Sequence, residues 1–332
     1  MIRVLVFLLL AVVAGIATAV DWVSPTDQKY KDGNPELYRE FDQARTILDS
    51  WRGERKKLSQ AQQLLASVIK TDATYAPAYR ELGRLYIMGG YINRDNFEPG
   101  SLSPAEAAIR KSIEIEPGYA DAYVLLGHLY TNMKRYDQAR SVLQRGESLG
   151  TKSPWLQLNW AALLNKQGES EAAAKRYKVV LDSNTPNKKA YGAALEGVIR
   201  YYILKGDLEA ADAWYKRQLE YEPSNAWAWG NYAGFLLYRR GDVDGAIKNG
   251  EKALSIMNYG MARFTLACAL YTKWAQEMQK GDIGSATQAV FKRAYELYPD
   301  IDSVIADTNQ IESMRVTAAQ LEKYKQTRAT NR

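Results

Sequence analysis

The chain has one histidine, His128, and one cysteine, Cys268, placed 140 residues apart. Acid–base or nucleophilic catalysis needs titratable groups that converge, and a metal held by imidazole or thiolate needs several such ligands. One of each supports neither. No phosphate-cradling glycine loop, nucleophile elbow or zinc-protease motif occurs. The 38 acidic residues fall mostly beside Lys or Arg on helical faces, where solvated ion pairing is their ordinary use. The expectation is a chain without catalytic residues, metal or cofactor, and so not an enzyme. A single cysteine also excludes an intramolecular disulfide. Its setting, Leu266-Ala267-Cys268-Ala269-Leu270, is one where a thiol packs as a small hydrophobe.

Charge narrows the partners. Against 44 Lys+Arg the excess is only +6 and is spread along the chain, which argues against a nucleic-acid stripe or a polybasic membrane patch. Met1-Ile2-Arg3 is a short basic start, and Val4 to Val20 is an uncharged run containing Ala17-Thr18-Ala19, the small-x-small pattern of a signal-peptidase site. Residues 1–19 therefore read as an export signal, with the periplasm as the expected compartment. The alternative is an uncleaved inner-membrane anchor over residues 4–20, since the run nearly reaches the roughly 20 residues that span a bilayer.

The elements that must position any site are written in a repeating sentence. Gly206 breaks one helix, Leu208, Ala211, Tyr215 and Leu219 mark one face of the next, and Pro223 stops it. Gly241 followed by Ala246, Ala253 and Leu254 repeats the pattern. Matching alanines fall 34 residues apart from Ala105 to Ala139 and from Ala139 to Ala173, then 38 to Ala211 and 35 to Ala246. A period near 34 signifies a helix-hairpin array. About seven hairpins fit residues 35–299, preceded by an extended leader over 20–34, which holds Pro25 and Gly33 and runs up to Pro35, and followed by a capping helix and tail over 300–332. The second hairpin carries ten extra residues near 89–104, read as an insertion of neither helix nor strand composition. Gly83, Gly127, Gly234 and Ala139 are expected where helices approach closely, and Gly168, Gly206 and Gly241 where a left-handed residue ends a helix.

Leu82-Gly83 with Tyr86, Leu126-Gly127 with Tyr130, and Gly206 to Pro223 resemble the tetratricopeptide repeat family. The resemblance implies an all-α, right-handed superhelical solenoid whose concave face is lined by the first helix of each hairpin. Carried onto this chain, that lining is Arg80, Arg84, His128, Asn132, Asn159, Lys166, Arg200, Asn231, Phe235, Tyr238, Arg239 and Tyr271. Arginine forks carboxylates and asparagine bonds an extended backbone. The expected function is accordingly a non-enzymatic scaffold or adaptor of the cell envelope that holds a partner protein or peptide in its groove. The alternative is a module guiding an acidic polysaccharide during export. The non-recurring Trp155, Trp227 and Trp229 are candidates to face outward.

Overall fold

The computed structural model describes residues 22–93, 96–183, 185–281 and 284–308. The expected export signal or anchor lies outside them, as does most of the capping helix. Among the described residues there are sixteen α-helices. In chain order they are α1 Pro25–Gly33, α2 Pro35–Ser50, α3 Arg55–Thr71, α4 Ala76–Gly90, α5 Leu102–Ile115, α6 Ala120–Asn132, α7 Tyr136–Ser148 and α8 Pro154–Lys166. There follow α9 Ser170–Asp182, α10 Lys188–Lys205, α11 Leu208–Tyr221, α12 Ala226–Phe235, α13 Val243–Ile256, α14 Gly260–Gln279, α15 Ser285–Leu297 and α16 Ile301–Thr308. A π-helical turn, Leu236–Arg240, extends α12.

Neighbours pair as hairpins, α2 with α3, α4 with α5, α6 with α7, α8 with α9, α12 with α13 and α14 with α15. Each hairpin packs on the next, α3 on α4, α5 on α6, α7 on α8 and α13 on α14. The chain is an all-α repeat solenoid. It divides within α10 into two compact units, residues 1–197 and 198–332.

In the first unit Phe41, Ala44 and Leu48 of α2 meet Leu65 and Val68 of α3 in one apolar cluster. Ile109, Leu126, Leu129, Tyr130, Leu143 and Trp160 form a second. No hairpin closes its apolar face alone, so stacking makes the core. The helices approach closely at Gly127, where an added Cβ would lie 2.5 Å from Leu143. The second unit has one cluster, built around Tyr215, Phe235, Leu266, Trp274 and Phe291. Val304 and Ile305 of α16 pack into it.

Helix ends follow local chemistry. Asp207, Asn225 and Asp242 accept hydrogen bonds from the first-turn amides of α11, α12 and α13, satisfying donors that a helix start leaves unpaired. Gly168, Gly206 and Gly241 all take the left-handed conformation, and Lys134 takes it too, at φ 59°.

Three expectations need correction. The leader is helical rather than extended from Pro25 onward, because Pro25 and Pro35 stand in first turns where a missing N–H costs nothing. Ser24 and Asn34 cap the two helices through the amides of Asp27 and Leu37. The insertion contains a small antiparallel pair, β1 Tyr91–Asn93 and β2 Asn96–Phe97, with Tyr91 and Phe97 rings 5.9 Å apart, edge to face. Gly234 is no close-approach glycine, since a Cβ there would meet nothing nearer than 3.9 Å.

Candidate functional site

The residues expected along the inner face meet two fates. In the first unit, Arg80 and Arg84 of α4 flank the fully buried carboxylate of Glu81. Arg84 Nη1 lies 3.1 Å from Glu81 Oε2 and its Nη2 2.6 Å from Asp49, while Arg80 pairs with Glu81 and lies over the Tyr119 ring, 5.6 Å from its centroid. Burial pushes the Glu81 carboxyl up, but Arg80 and then Arg84 outweigh it and hold the group below its ordinary range. As partner ligands these two arginines give way to internal ion pairing, since an unpaired buried carboxylate would be the costlier state. Lys189, at the start of α10, donates to the Asp49 carbonyl on the same side.

His128 and Asn132, one turn apart on α6, contact each other at 3.0 Å between Nε2 and Nδ2. Burial pushes the His128 imidazole pKa down. Asn159 is buried, and its amide donates to the Val124 carbonyl at 3.0 Å, tying α8 to α6.

In the second unit Phe235 and Tyr271 belong to the core. Tyr238 is half-buried and hydrogen-bonded to Cys268 and Asp307, and burial drives its phenol pKa far up. Arg200, Asn231 and Arg239 are exposed. Of the three tryptophans, Trp155 and Trp227 do face out, whereas Trp229 is half-buried and donates its indole N–H to the Pro223 carbonyl at 2.9 Å.

Of these residues Asn231 lines a hollow. This cavity, about 230 Å³, is walled by α12 and α14 with Tyr215 and Tyr259. Gly234 leaves room that a side chain would fill, whereas one turn before it on α12 the place of a Cβ at Gly230 is taken by the Tyr259 hydroxyl. Beside it Trp227, 52% exposed, stacks on Tyr259 at 4.1 Å between ring centroids, and Met261, 63% exposed, belongs to the lining itself. The site therefore offers one uncommitted amide, a small-residue floor and an exposed aromatic and thioether rim. Sequence reasoning found Asn231 and Trp227 but read Gly234 as a packing glycine. The available signal was a pair of glycines four apart on one helix beside apolar residues that do not recur with the repeat.

A second hollow, about 520 Å³, lies between α7, α8 and α9 around Trp160. Arg140 and Arg176 stand over its ring at 5.9 and 5.1 Å. They are already paired with Glu169 and Glu147, so they bring little unbalanced charge to a ligand. Among the described residues no group of three or more His, Cys, Asp or Glu is placed to hold a metal ion.

Residues 97–158 and 200–225 match models of the tetratricopeptide repeat. These two stretches are tetratricopeptide repeats, set within an all-α repeat solenoid. Over 81 residues it is 36% identical to the chloroplastic PsbB mRNA maturation factor Mbb1 of Chlamydomonas reinhardtii, a match spanning 24% of this chain and 12% of that protein. The structure of the APC/C hetero-tetramer Cut9–Hcn1 is similar with a TM-score of 0.55 at 18% identity, over 74% of this chain and 45% of that one. Pseudomonas aeruginosa PilF is similar with a TM-score of 0.50 at 16% identity, over 70% of this chain and 99% of that one. The chain thus spans about an eighth of the curated relative and less than half of Cut9–Hcn1. At these identities the structural likeness speaks for the fold. Tetratricopeptide arrays are protein-interaction scaffolds, and this chain has that fold.

Proposed function

We propose that the chain is a non-enzymatic adaptor that holds an extended segment of a partner protein against α12 and α14, at the hollow around Asn231. The observation that carries this reading is the coincidence of an exposed amide with vacant space on one helix face. Asn231 can bond a passing backbone, the space over Gly234 takes one apolar side chain, and Trp227 with Met261 covers the flank. Aromatic anchors in a pocket are what interaction surfaces use most. The eight residues lining the hollow include no cation, which favours a peptide over an acidic polysaccharide.

We place the adaptor in the cell envelope, exported by residues 1–19 or anchored through residues 4–20. The support is the basic start, the uncharged run and the Ala17-Thr18-Ala19 sequence. No described helix is long and apolar enough to cross a membrane.

The test is a photo-crosslinking residue at Trp227, activated in the native cells, with and without Gly234→Leu. The substitution directs a larger side chain into the hollow from a position whose Cβ meets no atom nearer than 3.9 Å. The expected result is a defined protein adduct that disappears in the filled variant while its helical circular dichroism is unchanged. An adduct that persists in the filled variant, or a glycan in place of a protein, overturns the proposal.

A further inference from the structure

We propose that the α4 side of the first unit is a receptor for a short helix carrying an aspartate and a tyrosine on one face, that α1 of this same chain occupies it in cis, and that a partner helix of like chemistry displaces α1. This surface is separate from the Asn231 hollow and does not rest on it.

α1 sits on the repeats as a ligand would. Asp27, 4% exposed, accepts a hydrogen bond from the Tyr119 hydroxyl at 2.7 Å and faces Arg45 at 4.0 Å. One turn on, the Tyr30 ring lies 4.7 Å from that of Tyr75 and its hydroxyl donates to the Thr74 carbonyl at 2.9 Å. Lys29 pairs with Glu116 at 2.5 Å. These contacts reach three successive segments, the α2 helix, the turn before α4 and the turn before α6. They define the recognised pattern, an aspartate followed three residues later by tyrosine on one face of a helix.

Two observations say the occupant is replaceable. The first is unfilled polar capacity beneath it: Tyr75 is 1% exposed, yet its hydroxyl has no hydrogen-bond partner, and Arg80 Nε is likewise buried without one. Buried polar atoms are normally satisfied, so a helix that brings acceptors to both would bind better than α1 does. The second is how lightly α1 is held. It is nine residues long, below the length at which a helix stands by itself. Its buried residues are Thr26 and Asp27, with the cap Ser24, and its main apolar anchor is the partly buried Tyr30 ring, so the apolar area that holds it down is small. It joins α2 through the single non-helical residue Asn34, at φ −149° and ψ 87°. An exposed ion pair such as Lys29–Glu116 adds little. Segments of this kind open locally at low cost.

The test uses the purified protein and a fluorescein-labelled synthetic peptide of residues 22–34, followed by anisotropy. Asp27→Ala with Tyr30→Ala in the protein releases α1 without altering the repeats. This variant should bind the peptide at least about tenfold more tightly than the wild type, as expected for losing a charged hydrogen bond in the cis competitor. Lys29→Glu, on a 67% exposed side chain, weakens the cis contact with no risk to the fold and should give an intermediate gain. A peptide carrying the same two alanines should not bind. The proposal is overturned if neither variant gains affinity over wild type, or if the alanine peptide binds as well as the native one.

Discussion

Replacing Gly127 by alanine puts a methyl group 2.5 Å from both Cγ and Cδ2 of Leu143, a separation that carbon atoms do not tolerate. Leu143 has no exposed surface and sits among Leu126, Leu129 and Ala139, so it has nowhere to retreat. Overpacking of this kind costs about 1–3 kcal/mol, and the entropy gained by removing a helical glycine returns about 0.5–1 kcal/mol. The net expectation is a loss of about 1–2 kcal/mol. The same substitution at Gly234 meets its first neighbour at 3.9 Å, so only the favourable term survives and the protein gains about 0.5–1 kcal/mol. One chemical change on two repeat helices therefore has opposite signs. Because two units need not unfold together, hydrogen exchange in urea is followed separately in α6–α7 and in α12–α14. With slopes of roughly 1–3 kcal/mol per molar urea, the Gly127 variant should lower its unit's midpoint by about 0.3–2 M. The packing argument fails if Gly127→Ala is neutral, or if Gly234→Ala is the more damaging of the two.

Lys134 holds φ 59° where other repeats place glycine, so Lys134→Gly should stabilise the first unit by about 1 kcal/mol, measured by thermal or urea unfolding. Burial pushes the Cys268 thiol up to about 12. Folded protein at about pH 8 should leave a disulfide reagent nearly unreacted, and unfolding in urea should release one thiol at once. Glu106 accepts hydrogen bonds from Tyr130 and Arg110 at 2.9 Å each and pairs with Arg135 at 2.8 Å. Although burial alone would raise its pKa, these partners lower it below the unfolded value. Its stabilisation is therefore present above about pH 4.5 and is lost as pH falls through the folded value. Glu106→Gln should flatten the decline in the first unit's stability as pH falls below about 4.5, and an unchanged decline would refute the assignment.

The repeat was legible because its positions obey local rules. The 34-residue spacing of Ala105, Ala139 and Ala173 places residues with no exposed surface, and Gly168, Gly206 and Gly241 mark helix ends that only a left-handed residue can make. What was not legible depended on burial by distant segments. Nothing adjacent to Arg80 in sequence shows that it lies against the Tyr119 ring and pairs with a buried Glu81, so it read as a groove residue open to a partner. The leader was misread because proline was weighed as a breaker without regard to the capping residues Ser24 and Asn34 directly before it. The hollow at Asn231 escaped notice because vacancy has no sequence letter. Gly234 looks like Gly127 until the neighbour across from it is known.

The π-helical turn at Leu236–Arg240 bears on how such a chain changes length. From the N-cap to the left-handed residue, the first helices run 15 positions from Tyr119 to Lys134 and from Ser153 to Gly168, but 16 from Asn225 to Gly241. One added residue inside an ordinary α-helix would rotate everything after it by about 100°. Here the wide turn absorbs the surplus in place, and Ala246 still lands with no exposed surface. Single-residue insertions and deletions in this array are therefore not confined to its loops. A helix can take up the difference and pass the next hairpin on in its proper orientation.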